Sequence, residues 1–175
     1  MTSLHEIHIS YYFARASAWT FTIKPFSDLL KKYQVGKNWA DPFAGKYSPA
    51  EITNDLNPEM PTKYHLDAKE FIDKLEDDSL DGAVFDPPYS YRQISEHYKK
   101  AGLKATQLDT SYNFYHRVMK GLHPKIKIGG HVISFGWNSN GFPKKLGYEK
   151  IELIVVAHGL HHNDTLALVQ RKGKR

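Results

Sequence analysis

The sequence predicts an α/β fold whose sheet is mostly parallel and closes with an antiparallel hairpin. Short apolar segments alternate with segments whose apolar side chains recur at helical spacing, which is typical of strand–helix–strand units. Residues 80–86 are apolar on both faces of the predicted strand, as strands buried inside a parallel sheet are. Residues 148–158 and 164–172 are two apolar runs joined by a tight polar loop, which predicts the terminal hairpin.

The remaining elements follow from the same reasoning. Helices are predicted where apolar side chains share one face, at residues 25–34, 67–75 and 110–122. Short runs bounded by turn residues predict further strands, at residues 38–45, 50–58 and 129–137. Strands and helices therefore alternate along most of the chain.

The composition fits a single domain over residues 1–175, large enough to bury a hydrophobic core. The net charge of +5 and the isoelectric point of about 9.2 weakly favour a polyanionic partner such as nucleic acid. The chain has no cysteine, which excludes disulfides, thiolate zinc sites and a cysteine nucleophile. We see no signal peptide and no apolar run near the roughly 18 residues of a membrane span, so we expect a soluble, cytoplasmic protein without a membrane partner.

Acidic residues stand at the ends of three predicted strands, at Asp41, Asp55 and Asp86. In a mostly parallel sheet, the carboxyl ends of the strands meet at one edge, and ligands bind there. The sequence therefore predicts that the three carboxylates cluster in a ligand site.

The segment Asp86-Pro87-Pro88-Tyr89 directly follows the most apolar strand. The prolines lack an N–H group and have a fixed φ, so the loop presents two acceptors, the Asp86 carboxylate and the Pro87 carbonyl. Two converging acceptors suit a planar amino group on a heteroaromatic ring, because they free its nitrogen lone pair for attack. The ring of Tyr89 offers a face on which a flat base can stack. These four residues are the candidate catalytic residues, although an ordinary strand-to-loop exit is the alternative.

This motif resembles that of the amino-methyltransferases that use S-adenosyl-L-methionine, and its Asp-Pro-Pro-Tyr form resembles the adenine-specific DNA enzymes. Residues 135–139 (FGWNS) and 162–165 (HNDT) are similar to segments of small phage-type adenine methylases. The resemblance extends from about Thr20 to the end of the hairpin. It implies a Rossmann-like class I methyltransferase sheet, S-adenosyl-L-methionine as cofactor and duplex DNA as partner, without a separate target-recognition domain.

The resemblance also implies cofactor-binding residues in four segments. Residues 20–26 are similar to the segment that covers the methionine end of the cofactor, and residues 41–45 to the Asp-Pro-Phe-x-Gly loop. Residues 54–58 are similar to the segment whose acid binds the ribose, and residues 65–71 to the segment with an acid near the adenine. The implied residues are Thr20, Phe21, Lys24, Pro25, Asp41, Pro42, Phe43, Gly45, Asp55, Asn57, Asp67 and Ala68. For Asp67, capping the following helix is an equally good interpretation.

The chain departs from the family pattern after Gly45. Tyr47 stands where a second glycine is usual, and about nine residues separate Gly45 from Asp55, too few for a helical crossover. Either an extended loop joins the two strands or the correspondence slips. Lys46 and Tyr47 either line the cofactor pocket or face solvent.

Residues 91–104 mix aromatic and basic side chains that suit phosphates and an extruded base, although a solvated helix fits the same pattern. The candidate nucleic-acid-binding residues are Tyr91, Arg92, Tyr98, Lys99 and Lys100. Possible metal ligands occur in the loop 158–165, at His158, His161, His162 and Asp164. We favour a metal-free loop beside the cleft, because methyl transfer by this route needs no Lewis acid.

The activity implied by the resemblance is methylation of the 6-amino group of adenine in DNA, by base flipping and in-line transfer, in a bacterium or a phage-infected host. Two alternatives stay open. One is an RNA or cytosine amino-methyltransferase. The other is a non-catalytic cofactor-binding or DNA-binding module of the same fold.

Overall fold

The computed structural model describes residues 6–104, 113–159 and 162–174, and within them a seven-stranded sheet is flanked by helices. The strands are β1 (His8–Phe13), β2 (Trp39–Asp41), β3 (Ile52–Thr53), β4 (Leu80–Phe85), β5 (Ile126–Gly136), β6 (Tyr148–Ala157) and β7 (Thr165–Lys172). The α-helices are α1 (Lys24–Lys32), α2 (Ala68–Asp73), α3 (Tyr91–Lys100) and α4 (Asn113–Leu122). Short 3₁₀ helices cover Thr20–Thr22, His123–Lys125 and Lys144–Leu146. No helix in the described ranges combines the length and apolar character needed to cross a membrane.

The strand order in the sheet is β1-β6-β7-β5-β4-β2-β3. Strand β7 runs antiparallel to both of its neighbours, β5 and β6, and every other pairing is parallel. The predicted mostly parallel sheet with a C-terminal antiparallel hairpin is therefore confirmed. Because β2, β3 and β4 are parallel, the segments that follow them begin at one edge of the sheet.

Both faces of the sheet are covered by apolar side chains from helices. On one face, Phe71 of α2 and Leu122 of α4 are fully buried against β4 and β5. On the other face, Phe26 and Leu29 of α1 pack with Val84, which belongs to β4. Burying apolar surface on both sides of the central strands is the main stabilising contribution and fixes the positions of their ends.

Strand β2 is held against β4 by a large side chain over a glycine. Trp39 is buried and pairs in register with Gly82. A Cβ atom at Gly82 would lie 2.6 Å from three atoms of the Trp39 ring, closer than real contacts allow. The glycine therefore makes room for the indole at the centre of the sheet.

One strand lies outside the predictions, and one helix corresponds to the alternative considered for residues 91–104. Strand β1 pairs in parallel with β6 at one edge of the sheet, and α3 directly follows the candidate catalytic loop. The link from β2 to β3 contains no helix, so an extended loop joins these strands. That loop is tied down by backbone hydrogen bonds, from Ala44 N to Asn54 O and from Asn54 N to Asp41 O, both 2.9 Å long.

Candidate active site

The carboxyl edge of β2, β3 and β4 opens into a cavity of about 230 Å³, which we call the donor cavity. Its walls come from the β2–β3 loop, the start of α2, the Asp86–Tyr89 segment and α3. The predicted residues that line it are Thr20, Pro42, Phe43, Gly45, Asp55, Asp67, Ala68 and Asp86 to Tyr89. The topology thus brings together residues that are far apart in the sequence.

Asp41 shapes the wall of this cavity without lining it. It is completely buried, and its carboxylate accepts hydrogen bonds from Phe43 N at 2.9 Å and from Ser48 Oγ at 2.6 Å. Burial raises the pKa of Asp41 to about 7, against the lowering effect of these two hydrogen bonds. The negative charges of Asp86 and Asp55 raise it further, so the three strand-end acids lie close together as predicted.

Asp55 lines the donor cavity and also fixes the loop around it. Its carboxylate accepts hydrogen bonds from Gly45 N at 3.0 Å and from Asn57 N at 2.8 Å. Gly45 has a φ of 55°, which favours glycine, and the ring of Trp19 lies 3.6 Å from the position a Cβ would take there. Asn57 is not part of the cavity wall and instead accepts from Glu59 N at 3.0 Å.

Asp67 caps α2, one of the two roles considered for it, and it also lines the donor cavity. Its Oδ1 accepts a hydrogen bond from Lys69 N at 2.9 Å, which caps α2. Its Oδ2 accepts from the Tyr98 hydroxyl at 2.7 Å, and both residues line the donor cavity. Neighbouring Ala68 is buried and also lines it.

Of the four residues predicted from the N-terminal segment, the structure brings only Thr20 to the cavity wall. Phe21 packs edge-on against Phe135, with ring centroids 5.5 Å apart. Lys24 pairs with Asp28 at 2.8 Å on the exposed side of α1. Pro25 and Lys24 line a separate groove between β1 and α1.

Lys46 and Tyr47 are exposed and are not part of the wall, which favours the solvent-facing interpretation. The Lys46 ammonium lies 5.3 Å from the centre of the Tyr47 ring, and that ring packs edge-on against Trp19 at 5.4 Å. The aromatic cover over the β2–β3 loop therefore comes partly from Trp19, which sequence reasoning did not identify.

Asp86 stands at the end of β4 with its carboxylate held by neighbouring hydroxyl groups. The Tyr89 hydroxyl donates a hydrogen bond to Asp86 Oδ1. Burial raises the pKa of Asp86 to about 6, while hydrogen bonds from Tyr89 and Thr20 act in the opposite direction. Burial also raises the pKa of Tyr89, with Asp86 as the second cause, so the phenol keeps its proton and remains a donor.

Tyr89 is fixed from two further directions. Its backbone N–H donates to Gln93 Oε1 at 2.7 Å, and its ring packs edge-on against Trp137 with centroids 5.5 Å apart. Tyr115 on α4 donates its hydroxyl to the Pro88 carbonyl at 2.5 Å. The double-proline segment is therefore held by side chains from three other parts of the chain.

A second cavity of about 180 Å³ adjoins the donor cavity at Pro87 and Tyr89, and we call it the acceptor cavity. Pro87 and Tyr89 line both cavities. The other walls are mainly aromatic and amide side chains, including Tyr115, His116, Trp137, Asn138 and Asn140. Sequence reasoning noted Trp137 and Asn138 only as part of a segment similar to phage-type methylases, and it missed Tyr115 and His116.

The predicted nucleic-acid-binding residues separate into two groups on α3. Arg92, Lys99 and Lys100 are exposed, with Arg92 paired to Glu96 at 2.8 Å. Tyr98 turns instead to the donor cavity. The structure describes the backbone of Tyr91 as the first residue of α3, and its side chain lies outside the described part.

His158 in the histidine-rich loop is engaged through both ring nitrogens. One lies 2.9 Å from Ala14 O and the other 3.0 Å from Thr165 Oγ1. His161 lies outside the described residues, while His162 and Asp164 are exposed. Among the side chains that the structure describes, no three potential ligands converge on a point where a metal ion could bind.

No family model and no curated protein sequence matches the chain. Solved methyltransferase structures do match its fold. A Burkholderia thailandensis 1,6-didemethyltoxoflavin-N1-methyltransferase, solved with 1,6-didemethyltoxoflavin and S-adenosylhomocysteine, has a TM-score of 0.55 at 11% identity, over 85% of this chain and 76% of that one. N-methyltransferase NodS from Bradyrhizobium japonicum has a TM-score of 0.55 at 9% identity, over 86% and 96%.

TrmN from Thermus thermophilus gives a TM-score of 0.56 at 15% identity, over 86% of this chain and 49% of that one, so the chain spans about half of TrmN. At such low identities these likenesses concern the fold alone. They show that the chain shares the α/β fold of these methyltransferases, in agreement with the fold that the sequence predicts.

Proposed function

We propose that the chain is an S-adenosyl-L-methionine-dependent methyltransferase that methylates the 6-amino group of adenine in DNA. The observation that carries the proposal is that two cavities meet at the Asp86–Tyr89 segment, with Pro87 and Tyr89 in both walls. A methyl donor in one cavity and an amine in the other would therefore approach each other at Pro87 and Tyr89, directly beside Asp86. The methyltransferase fold of the structural neighbours supports the same reaction class.

The residues of the donor cavity suit the proposed cofactor. Asp55 and Asp67 present carboxylates that can accept hydrogen bonds from hydroxyl and amino groups. Gly45, at positive φ, leaves the backbone open to close approach by a ligand. When bound, S-adenosyl-L-methionine supplies an activated methyl group, which passes to the acceptor nitrogen as the sulfonium C–S bond breaks and S-adenosylhomocysteine is left.

The acceptor side suits a planar amine on an aromatic ring. Asp86 lines the donor cavity next to Pro87 and Tyr89, which line both cavities. We take the Asp86 carboxylate and the Pro87 carbonyl as the acceptors for the amine, since the prolines add no competing N–H group. With its pKa at about 6, Asp86 is mainly ionised at neutral pH, so it can accept from the amine and take the proton lost after alkylation. The aromatic walls of the acceptor cavity, including Trp137, suit a stacked base.

Adenine in DNA is the preferred acceptor because Asp-Pro-Pro-Tyr resembles the motif of adenine-specific DNA enzymes. The positive net charge and the exposed cations Arg92, Lys99 and Lys100, close to the catalytic segment, support a nucleic-acid substrate. A base inside a duplex cannot reach Asp86, so the target nucleotide would be flipped into the acceptor cavity.

The test is transfer of a labelled methyl group to unmethylated duplex DNA and to RNA of the same sequence, followed by nucleoside analysis. We expect N6-methyldeoxyadenosine from DNA with the wild-type chain and none with Asp86→Ala, while Asp86→Ala still binds the cofactor in calorimetry. A methylated cytosine or ribonucleoside would instead identify one of the rival substrates. Cofactor or DNA binding without transfer to any substrate would indicate a non-catalytic module.

A further inference from the structure

Helix α3 forms part of the donor cavity, although its sequence suggested a nucleic-acid surface. Gln93, Ile94 and Tyr98, which lie on one side of α3, all line the cavity. Ile94 is almost completely buried in the main hydrophobic core, so this side of the helix faces inward. The exposed cations Lys99 and Lys100 lie beside Tyr98 on the same short helix. One helix therefore contacts the donor cavity and presents positive charge to solvent.

Side-chain hydrogen bonds tie α3 near both of its ends. Near its start, Gln93 Oε1 accepts from Tyr89 N at 2.7 Å, which ties the helix to the catalytic segment. Near its end, the Tyr98 hydroxyl donates to Asp67 Oδ2 at 2.7 Å, which ties it to the start of α2. Because the acceptor at Asp67 is a carboxylate and both residues are half-buried, this hydrogen bond is of the stronger, charge-assisted kind.

The hydrogen bond between Tyr98 and Asp67 joins two residues that both line the donor cavity. Asp67 Oδ1 is already used to cap α2 through Lys69 N, which fixes the plane of the carboxylate. The hydroxyl of Tyr98, on α3, donates a hydrogen bond to the second carboxylate oxygen, Oδ2. The Tyr98 hydroxyl therefore restrains both the orientation of Asp67 in the wall and the position of α3 beside the cavity, in addition to the bonds from Lys69 N and Tyr89 N.

We propose that Tyr98 is a positioning residue of the donor site, whose hydroxyl latches α3 over the bound methyl donor through Asp67. Loss of this latch loosens the donor site and the cationic surface together, because α3 contributes residues to each of them. The inference rests on the proposed function, since it takes the donor cavity to bind S-adenosyl-L-methionine.

The first experiment measures the affinity for S-adenosylhomocysteine by calorimetry. Tyr98→Phe keeps the ring and removes only the hydroxyl, and we expect binding to be roughly tenfold weaker, as for other hydrogen bonds to a charged group. Tyr11→Phe is the matched control, because Tyr11 is 75% exposed on β1, outside the donor cavity, and should bind as the wild type does. Unchanged affinity in Tyr98→Phe would overturn the proposal.

A double-mutant cycle with Asp67→Asn tests the route through Asp67. Asparagine still caps a helix, so α2 keeps its start while the charged acceptor is lost. If Tyr98 acts through Asp67, adding Tyr98→Phe to Asp67→Asn should weaken binding by less than twofold. If the two substitutions instead reduced the affinity by the product of their separate effects, Tyr98 would act on the donor independently of Asp67, and the latch would be contradicted.

Hydrogen exchange of the α3 amides tests the latch without any ligand. We expect Tyr98→Phe to exchange several-fold faster across α3 than the wild type or Tyr11→Phe, with no change in α4. Equal exchange would contradict the latch. If the wild type bound no S-adenosylhomocysteine at all, the proposed function would fail, and the exchange comparison would still decide whether the latch exists.

Discussion

At the scale of single residues, the hydroxyl of Tyr89 opposes the effect that burial has on the Asp86 carboxylate. The ring of Tyr89 was identified as a stacking surface, but its hydroxyl also donates to the carboxylate that would accept the amine. This hydrogen bond stabilises the ionised carboxylate and opposes the burial that raises its pKa to about 6. Tyr89 therefore contributes to the ionisation of Asp86 as well as to the wall between the cavities.

Tyr89→Phe should shift the acidic limb of the pH–rate profile to higher pH. Asp86 acts as a carboxylate, so activity rises with pH through its pKa, and removing a donor to the ionised form raises that pKa. A shift of about one pH unit is expected from losing a hydrogen bond to a charged group. The measurement is kcat between pH 5 and pH 9 for both proteins. An acidic limb at the same pH in both would show that the Tyr89 hydroxyl does not influence Asp86.

At the scale of elements, the loop between β2 and β3 replaces the helix that usually follows such a strand. Asp41 organises this loop by accepting from Phe43 N and Ser48 Oγ, and it does so while completely buried. A buried carboxylate is less costly when protonated, which is why its pKa rises to about 7. The loop is thus most stable with a neutral group at position 41.

Asp41→Asn should make stability less dependent on pH. In the wild type, the folded-state pKa of about 7 exceeds the ordinary value of 3.8, so the free energy of unfolding falls as pH rises from about 4 to 7. Asparagine is neutral throughout and keeps an acceptor for Phe43 N. The free energy of unfolding, measured in urea, should therefore be higher for the variant relative to the wild type at pH 7.5 than at pH 5. A constant difference between the two proteins would mean that Asp41 does not titrate in this range.

The contact between β2 and β4 gives a second prediction at this scale. Gly82→Ala should destabilise the fold by about 1–3 kcal/mol, because the new methyl group overlaps the buried ring of Trp39. Gly136→Ala is the matched control on β5, where a Cβ would have no atom within 4 Å, and it should change stability by less than about 0.5 kcal/mol. The measurement is denaturant unfolding of both variants. Equal unfolding midpoints would contradict this reasoning.

Much of the fold and part of the site follow from the sequence because they depend on local patterns. Apolar periodicity gave the helices and the buried strands, and the acids after β2, β3 and β4 pointed to the edge where the donor cavity lies. Strand β1 was missed because its partner in the sheet, β6, lies more than a hundred residues along the chain. Asp41 was predicted to bind the cofactor because the sequence around an acid in a loop is the same whether its carboxylate contacts a ligand or the backbone of its own loop.

The acceptor cavity was also beyond the reach of local pattern. Its walls combine Tyr115 and His116 from α4 with Trp137 and Asn138 after β5. These residues have no shared periodicity or spacing, and only the packing of α4 beside β5 brings them together. The contact between Tyr98 and Asp67 was not predicted either, because the basic residues around Tyr98 indicated an exposed helix.

At the scale of the whole molecule, the sequence between Tyr89 and β5 leaves little beyond residues 90–109 for reading DNA, which predicts loose sequence recognition. The exposed cations Arg92, Lys99 and Lys100 suit phosphates, which position a protein on DNA without specifying sequence. We expect methylation of adenines in a short or relaxed context and binding that weakens steeply with salt through counterion release. Long-read mapping of methylated DNA and binding titrations across salt concentrations are the measurements. Complete methylation of one motif of about six or more bases, with none elsewhere, would contradict this expectation.

The edge position of β1 has a consequence for how the chain is made. The ribosome produces β1 more than a hundred residues before its partner β6, so β1 stays unpaired while the chain between them is made. Its side chains Tyr11 and Phe13 stay largely exposed even after pairing, at 75% and 76%. Chaperone capture of the nascent chain is therefore expected at this segment. Residues 14–19 link β1 to Thr20 in the wall of the donor cavity, so we expect that wall to be complete only after β1 has paired with β6.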